Sequence, residues 1–295
     1  MRPLLLALGI ALSTASVAAF AAGPSPVKPG ERTIAVGALK LTSLRDAQFN
    51  APNDGKVFGV DVGAAPVTKF LAARNLPTDV IPLSVDALLV RGIPGHVVLL
   101  DTGVGPRAGG VLLKSLAQAG VSPSQITDVL ITHSHSDHVG GLVNSDGKSA
   151  FPRASIRMTD AEWTWFKGQV DNKPLVDAIA SQVKTYAPGD TVVPDIVSVP
   201  FKGHTPGHVG YRIGSGRSSV LDIGDTAHSS AVSLGHPEWT MGFDSDPVVG
   251  RQTRATELGV LAKDHTLIFS PHFPYPGTGR VVRTQDSYSW VPYSP

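Results

Sequence analysis

The chain has 295 residues, 25 lysines and arginines against 24 aspartates and glutamates, and no cysteine. A charge so near zero excludes the broad basic footprint of a nucleic-acid binder. The lack of thiols excludes a disulfide scaffold, a thiolate ligand and a cysteine nucleophile. The chain opens with Met1-Arg2, runs almost wholly apolar or small over 4–20, and offers Ala19-Phe20-Ala21 as a small-residue cleavage site. Residues 1–21 therefore read as a signal peptide. The mature protein is expected to be periplasmic or secreted, from a bacterium, with no stable membrane anchor after cleavage. Residues 22–32, rich in proline and glycine, read as a flexible lead-in, and 33–295 as a single domain.

Alternating apolar residues predict strands over 33–41, 85–90 and 97–100. Helical spacing predicts a short helix over 66–75 and another over 109–119, closed by Gly120. The apolar segment 57–76 offers a lid or the arm of a homodimer. The run Val129-Leu130-Ile131 reads as a buried strand, followed by a strand over 154–158. Asp160 is placed to cap a helix over 161–167, and 175–186 reads as helical. Strands over 196–200, 208–213 and 219–223, a helix over 251–264 and a last strand over 266–270 complete the chain. Strands followed by helices, then the mirror of that order, fit an α/β fold. Two sheets would pack face to face with helices outside, as a four-layer αβ/βα sandwich.

The chemistry concentrates in Thr132-His133-Ser134-His135-Ser136-Asp137-His138-Val139-Gly140-Gly141, directly after the strand at 129–131. Three imidazoles and a carboxylate on one strand-to-helix turn can converge on a shared point, and they are the nitrogen and oxygen donors that Zn²⁺ prefers. Four donors exceed what one open zinc site needs, so the turn points to two metals. Three other strand ends carry matching residue types: His204 in Gly203-His204-Thr205-Pro206-Gly207-His208, Asp225 in Asp222-Ile223-Gly224-Asp225, and His272 in Pro271-His272-Phe273-Pro274. Strand ends are where α/β architectures build their sites. The candidate metal ligands are His133, His135, Asp137, His138, His204, Asp225 and His272.

This ordered set, with Asp101 ending Val98-Leu99-Leu100-Asp101, resembles the metallo-β-lactamase superfamily from about residue 33 to 295. Phe151-Pro152, the loop 203–208 and the ending His272-Phe273-Pro274-Tyr275-Pro276-Gly277 resemble its branch of methyl parathion hydrolase and quorum-quenching lactonases. The resemblance implies a metallo-β-lactamase-fold catalytic domain with two Zn²⁺ ions, other divalent metals being chemically compatible. It implies His133, His135 and His204 on one ion, Asp137, His138 and His272 on the other, and Asp225 bridging both. Asp101 would support the ligand turn, and His208 would be a supporting residue.

Paired cations lower the pKa of a shared water toward neutrality and clamp the attacked centre. The expected activity is hydrolysis of lactones or neutral esters by a metal-bridging hydroxide, with phosphotriesterase activity as a side reaction. Asp137, Asp225 and Asp101 are the carboxylates expected to serve catalysis. Trp165, Phe166, Trp239, Phe243, Phe273 and Tyr275 are candidates to line the pocket of a small-molecule substrate. The loop 227–247, with His228, His236 and Asp244-Ser245-Asp246, reads as solvated, with an extra metal site as the alternative. A β-lactam hydrolase is the rival enzyme, although the resemblance places Asp225 where true metallo-β-lactamases generally lack a bridging carboxylate. A zinc-binding sensor or interaction protein is the rival outside enzymes. Nothing in the charge pattern suggests a nucleic-acid partner.

Overall fold

The computed structural model describes residues 23–294 except Arg217. The expected signal peptide, residues 1–21, lies outside the described residues. The strands are β1 (Glu31–Val36), β2 (Leu39–Pro52), β3 (Val80–Ile93), β4 (His96–Leu100), β5 (Asp128–Leu130), β6 (Ser155–Thr159) and β7 (Val183–Tyr186) in the first half of the chain. The second half holds β8 (Thr191–Val193), β9 (Ile196–Pro200), β10 (Val209–Ser215), β11 (Ser218–Asp222), β12 (Ile268–Phe269), β13 (Thr278–Arg283) and β14 (Tyr288–Pro292). The helices are α1 (Ala64–Ala72), α2 (Leu112–Gln118), α3 (Ser136–Val139), α4 (Asp160–Gly168), α5 (Lys173–Ile179), α6 (Val232–Gly235) and α7 (Pro247–Asp264).

Strands β1 to β7 form one seven-stranded sheet in chain order, and β14 to β8 form a second in the reverse order. Sequential order reflects the connections. β1 to β4 run antiparallel, with tight turns after β1 and β3 and helix α1 in the connection from β2 to β3, whereas β4 to β7 are parallel neighbours separated by helical crossovers. Strands buried on both faces explain the unbroken apolar runs. In β3, Leu88 and Val90 point to the opposite sheet while Leu89 points outward, the period of two that a pleated strand imposes. Between the sheets, Leu41, Val98, Leu100 and Leu130 meet Ile196, Val209, Tyr211 and Phe269. Outside the first sheet, Leu112, Leu116, Phe166 and Ile179 cover Leu89, Leu99 and Val129. Outside the second, Leu258 and Leu261 of α7 cover Leu221, Ile268 and Val281. Each such fully buried aliphatic side chain contributes about 1.5–3 kcal/mol of transfer free energy. The four layers match the architecture expected from the sequence.

Several local expectations are corrected. The lead-in is docked rather than free: the Ser25 N–H donates to Gln48 O at 2.7 Å, the Gly30 carbonyl accepts from Arg45 N, and β1 begins at Glu31. Its backbone groups find partners along β2, which accounts for order in a proline-rich stretch. Residues 33–41 form two strands, because a turn at Gly37, at φ +60°, splits them. The helix expected over 175–186 ends at Ile179, and Val183–Tyr186 becomes the edge strand β7 beside β6. Thr159, not Asp160, caps α4, its hydroxyl accepting from Glu162 N. The last sheet extends past the strand expected over 266–270 to β13 and β14. Within the segment 57–76, Val57, Phe58, Val67, Phe70 and Leu71 are buried against Ile81, Leu83 and Met241 of this same chain. Among the described residues no helix is long and apolar enough to cross a membrane.

Candidate metal centre

All seven candidate ligands meet at one end of the sandwich, where the strands of both sheets stop. β5 delivers the turn that becomes α3, the loop before β10 delivers His204, the end of β11 delivers Asp225, and the end of β12 delivers His272. Their donor atoms fall into two groups. His133 Nε2, His135 Nδ1 and His204 Nε2 lie 2.9–3.1 Å from one another, and Asp225 Oδ2 is 3.5 Å from His133 Nε2 and 3.3 Å from His204 Nε2. Tetrahedral zinc with bonds of about 2.0–2.1 Å separates its ligands by roughly 3.3 Å, so these spacings suit it. In the second group, Asp225 Oδ1 is 3.3 Å from His138 Nε2 and 3.2 Å from His272 Nε2. Asp137 Oδ2 completes that group at 3.9 Å from His138 Nε2 and 3.6 Å from His272 Nε2. Asp225 Oδ2 thus faces the first group and Oδ1 reaches His138, while His272 Nε2 stands 3.2 Å from both oxygens, so Asp225 lies between the two groups.

The chemistry of the donors fits metal. His138 Nε2 and Asp225 Oδ1 are buried without a hydrogen-bond partner, a costly state unless something else satisfies them. Burial, together with the neighbouring His138 and His204, respectively, holds His133 and His135 well below the ordinary histidine value. Neutral imidazoles present free lone pairs. Burial alone would push the Asp225 carboxyl up, but His272, His138, His228 and His133 around it hold it well below the usual carboxylate range.

Each imidazole also needs its far nitrogen held, because that bond fixes the tautomer and aims the lone pair. Asp101, in a left-handed backbone conformation at φ +57°, accepts from His138 Nδ1 at 2.8 Å and from both Thr132 N and Thr132 Oγ1 at 2.8 Å. Thr132 Oγ1 in turn accepts from His133 Nδ1 at 3.1 Å. Asp101 therefore orients two ligands and stands behind the metal site. His272 Nδ1 donates to Ser84 O at 2.7 Å, and His204 Nδ1 to Asp244 Oδ1 at 3.0 Å. His208 is a support: its Nδ1 donates to Phe201 O at 2.8 Å while its Nε2 accepts from Asp225 N at 3.0 Å. Burial depresses its pKa to about 3, so it stays neutral. Gly224, at φ +46°, makes this contact feasible, since a Cβ there would stand 2.5 Å from His208 Nε2.

Four buried side chains around the centre have places that the sequence does not predict: it singles out neither Glu162 nor Asp46, and it puts Asp244 and His228 in a solvated loop or an extra metal site. Glu162, fully buried on α4, accepts from Ser134 N at 2.7 Å, Ser134 Oγ at 2.6 Å, Thr205 Oγ1 at 2.7 Å and Gly207 N at 3.0 Å. It ties the first ligand turn to the His204 loop. Asp46 accepts from Val104 N and Leu112 N, both at 2.7 Å, and anchors the segment after Asp101. Its burial raises its pKa to about 6 despite those bonds. Asp244 and His228, expected in a solvated loop, are buried at 7% and 1% exposure. A buried Arg254 stands 3.5 Å from Asp244 Oδ2, a pairing that only the fold brings together.

The aromatic candidates divide. Trp165 sits edge-on to His135 with centroids 5.7 Å apart, and Phe243 lies 5.9 Å from His228, so both flank the centre. Trp239 is stacked on His236 at 3.7 Å and packs on Phe70, one layer farther out. Phe166 and Phe273 are fully buried in the core and line no pocket. Phe166 follows Trp165 on a helix, where successive residues point about 100° apart, and Phe273 packs edge-on to Trp290. Tyr275 turns away as well, its ring beneath the Arg45 guanidinium and its hydroxyl against Gly30.

A model of the Metallo-beta-lactamase superfamily matches residues 80–272, a span holding all seven candidate ligands. The chain belongs to the metallo-β-lactamase superfamily. Among curated superfamily relatives, it is 30% identical over 174 residues to Metallo-beta-lactamase domain-containing protein 1 of Mus musculus, covering 55% of each protein. It is 23% identical over 192 residues to a probable metallo-hydrolase of Mycobacterium tuberculosis, covering 55% of this chain and 59% of that one. The chain thus spans only a little over half the length of these relatives. Solved structures match more fully. AidC, described as a dizinc quorum-quenching lactonase in complex with a product, superposes with a TM-score of 0.85 at 28% identity, covering 90% of this chain and 98% of AidC. AbOPH, a hydrolase of the beta lactamase superfamily, superposes at 0.82 and 28% identity, covering 92% and 99%.

Proposed function

We propose that this protein is an exported dizinc hydrolase of lactones and neutral esters, with phosphotriesters as side substrates. The observation that carries the reading is the Asp225 carboxylate, which lies between two groups of histidine and aspartate donors and stands within 3.5 Å of histidines from both. The similarity to AidC over nine-tenths of the chain supports lactones as the substrate class. When bound, two such ions supply a water-derived nucleophile at neutral pH and Lewis acidity toward the attacked oxygen.

The chain's own residues supply the rest. His133, His135, His204 and Asp225 Oδ2 would hold one ion, and Asp137, His138, His272 and Asp225 Oδ1 the other. Asp101, Thr132, Ser84 and Asp244 keep the ligands aimed. Asp137, with 18% of its side chain exposed, keeps an oxygen accessible and is placed to pass a proton to the leaving alkoxide. Trp165 beside His135 and Phe243 beside His228 offer apolar surface near the centre, suited to an acyl or aryl group. Export rests on the composition of residues 1–21.

A pH-indicator hydrolysis assay on the zinc-loaded mature protein tests this reading. Acyl-homoserine lactones, simple lactones, aryl esters, a phosphotriester and a β-lactam are compared. Lactone turnover should lead, with a weaker phosphotriester rate. A dominant β-lactam rate, or no turnover by protein carrying two metals, would contradict it.

A further inference from the structure

One ionisable residue beside Asp225 is neither one of the seven candidate ligands nor a support that holds one of their rings. His228 is 1% exposed, three residues after Asp225, and its ring stacks on His272 with centroids 5.4 Å apart and planes within 7°. Its Nε2 lies 3.0 Å from Asp225 Oδ2 and shares one donor cluster with Asp225 and His272. Beyond this charge contact with Asp225, neither ring nitrogen makes a hydrogen bond. A buried imidazole without a partner costs free energy, and such groups persist where a ligand satisfies them. Metal is a poor candidate for that ligand. The seven candidate ligands already gather in two groups with Asp225 between them, and the far nitrogens of His138, His204 and His272 are tied to protein oxygens while that of His228 is tied to none.

We propose that His228 is a catalytic residue whose ring N–H donates a hydrogen bond to the substrate oxygen that gains charge during attack. The inference rests on the hydrolase reading above. In ester or lactone hydrolysis the oxygen of water bonds to the carbonyl carbon, and the C=O electron pair moves onto the carbonyl oxygen. Collapse re-forms C=O, breaks the C–O bond to the alcohol portion and leaves an alkoxide that takes a proton. A donor aimed at the oxyanion acts most in the transition state. Phe243, 5.9 Å away, shields His228 from one side, and His204 stands 5.0 Å away on another, so the ring is held in place before substrate arrives.

The test compares wild type with His228→Leu and His228→Gln, all zinc-loaded. Three readouts are taken: zinc per chain, kcat and KM for a lactone, and the affinity of the cobalt-substituted proteins for inorganic phosphate from visible absorption. Phosphate serves as a probe oxyanion whose binding does not depend on turnover. His228→Leu should keep the wild-type zinc count, lose about 100-fold in kcat with KM within about threefold, and bind phosphate at least about tenfold more weakly. His228→Gln, which restores an N–H donor, should recover part of both losses. Loss of a zinc ion from His228→Leu would make His228 a ligand and overturn the proposal. Unchanged kcat and phosphate affinity would overturn it as well. If wild type hydrolyses none of the substrates, the lactonase reading fails, and the phosphate shift alone still decides the role of His228.

Discussion

The two halves of the sandwich mirror each other in strand order but furnish the centre in opposite ways. The first half puts His133, His135, Asp137 and His138 on one turn between β5 and α3, so their spacing is set by local backbone geometry. The second half supplies His204, Asp225 and His272 singly, from three loops up to 68 residues apart, as the numbers 204 and 272 show. A turn can be right on its own. Three separate loops meet only if the whole sheet of β8 to β14 is in register. The supports differ accordingly: Asp101 reaches its partners within the first sheet, whereas Glu162 and Asp225 span the two halves.

Breaking the shared ligand should have the largest effect. Asp225→Ala removes a donor from both groups, so the purified protein should carry fewer than two zinc ions and lose essentially all turnover while keeping its far-ultraviolet circular dichroism. Glu162→Gln comes next, because it turns an amide nitrogen toward donors from both halves. Leaving buried donors unsatisfied costs about 1–3 kcal/mol each, so its denaturation midpoint should fall clearly, and an unchanged midpoint would deny the strut. Asp244→Ala confines the damage to the second half. Loss of such a support typically weakens metal binding about 10–100-fold, which zinc competition against a chelator would read, with the His204 group affected.

The smallest effect lies away from the centre, within the first half. Burial would raise Asp128, but its bonds to His96 and Arg157 at 2.8 Å and to Thr127 at 2.9 Å lower it below the ordinary carboxylate value. Its contribution is therefore present above pH 3.8 and is lost as pH falls through the lower folded value. Both partners are a quarter or more exposed, so Asp128→Asn should cost only about 1 kcal/mol at pH 7. The gap to wild type should close in strong acid, and a gap that widened there would reverse the sign.

What could be read in the sequence follows from how local each feature is. The dense histidine turn, and donors placed where apolar runs stop, carry their meaning in a few residues each. Glu162 is one carboxylate among others on a short helix, and nothing nearby in sequence shows that Ser134 and Gly207 converge on it. His228 and Asp244 sit among Ser, Gly and Pro, a composition that resembles a solvated loop until α7 and the 56–63 segment close over it. Phe166 and Phe273 have the right chemistry for a pocket but face the core, a difference set by direction and not by residue type. Residues 183–186 carry alternating polarity too short to distinguish from the tail of a helix, and pairing with β6 decides it.

The central claim is that Asp225 joins two metal sites. Anomalous diffraction at the zinc edge from crystals of the loaded protein tests it most directly. The account predicts two peaks, one enclosed by His133, His135 and His204 and the other by Asp137, His138 and His272, with the Asp225 carboxylate between them. A single peak, or a second peak held without Asp225, would contradict it.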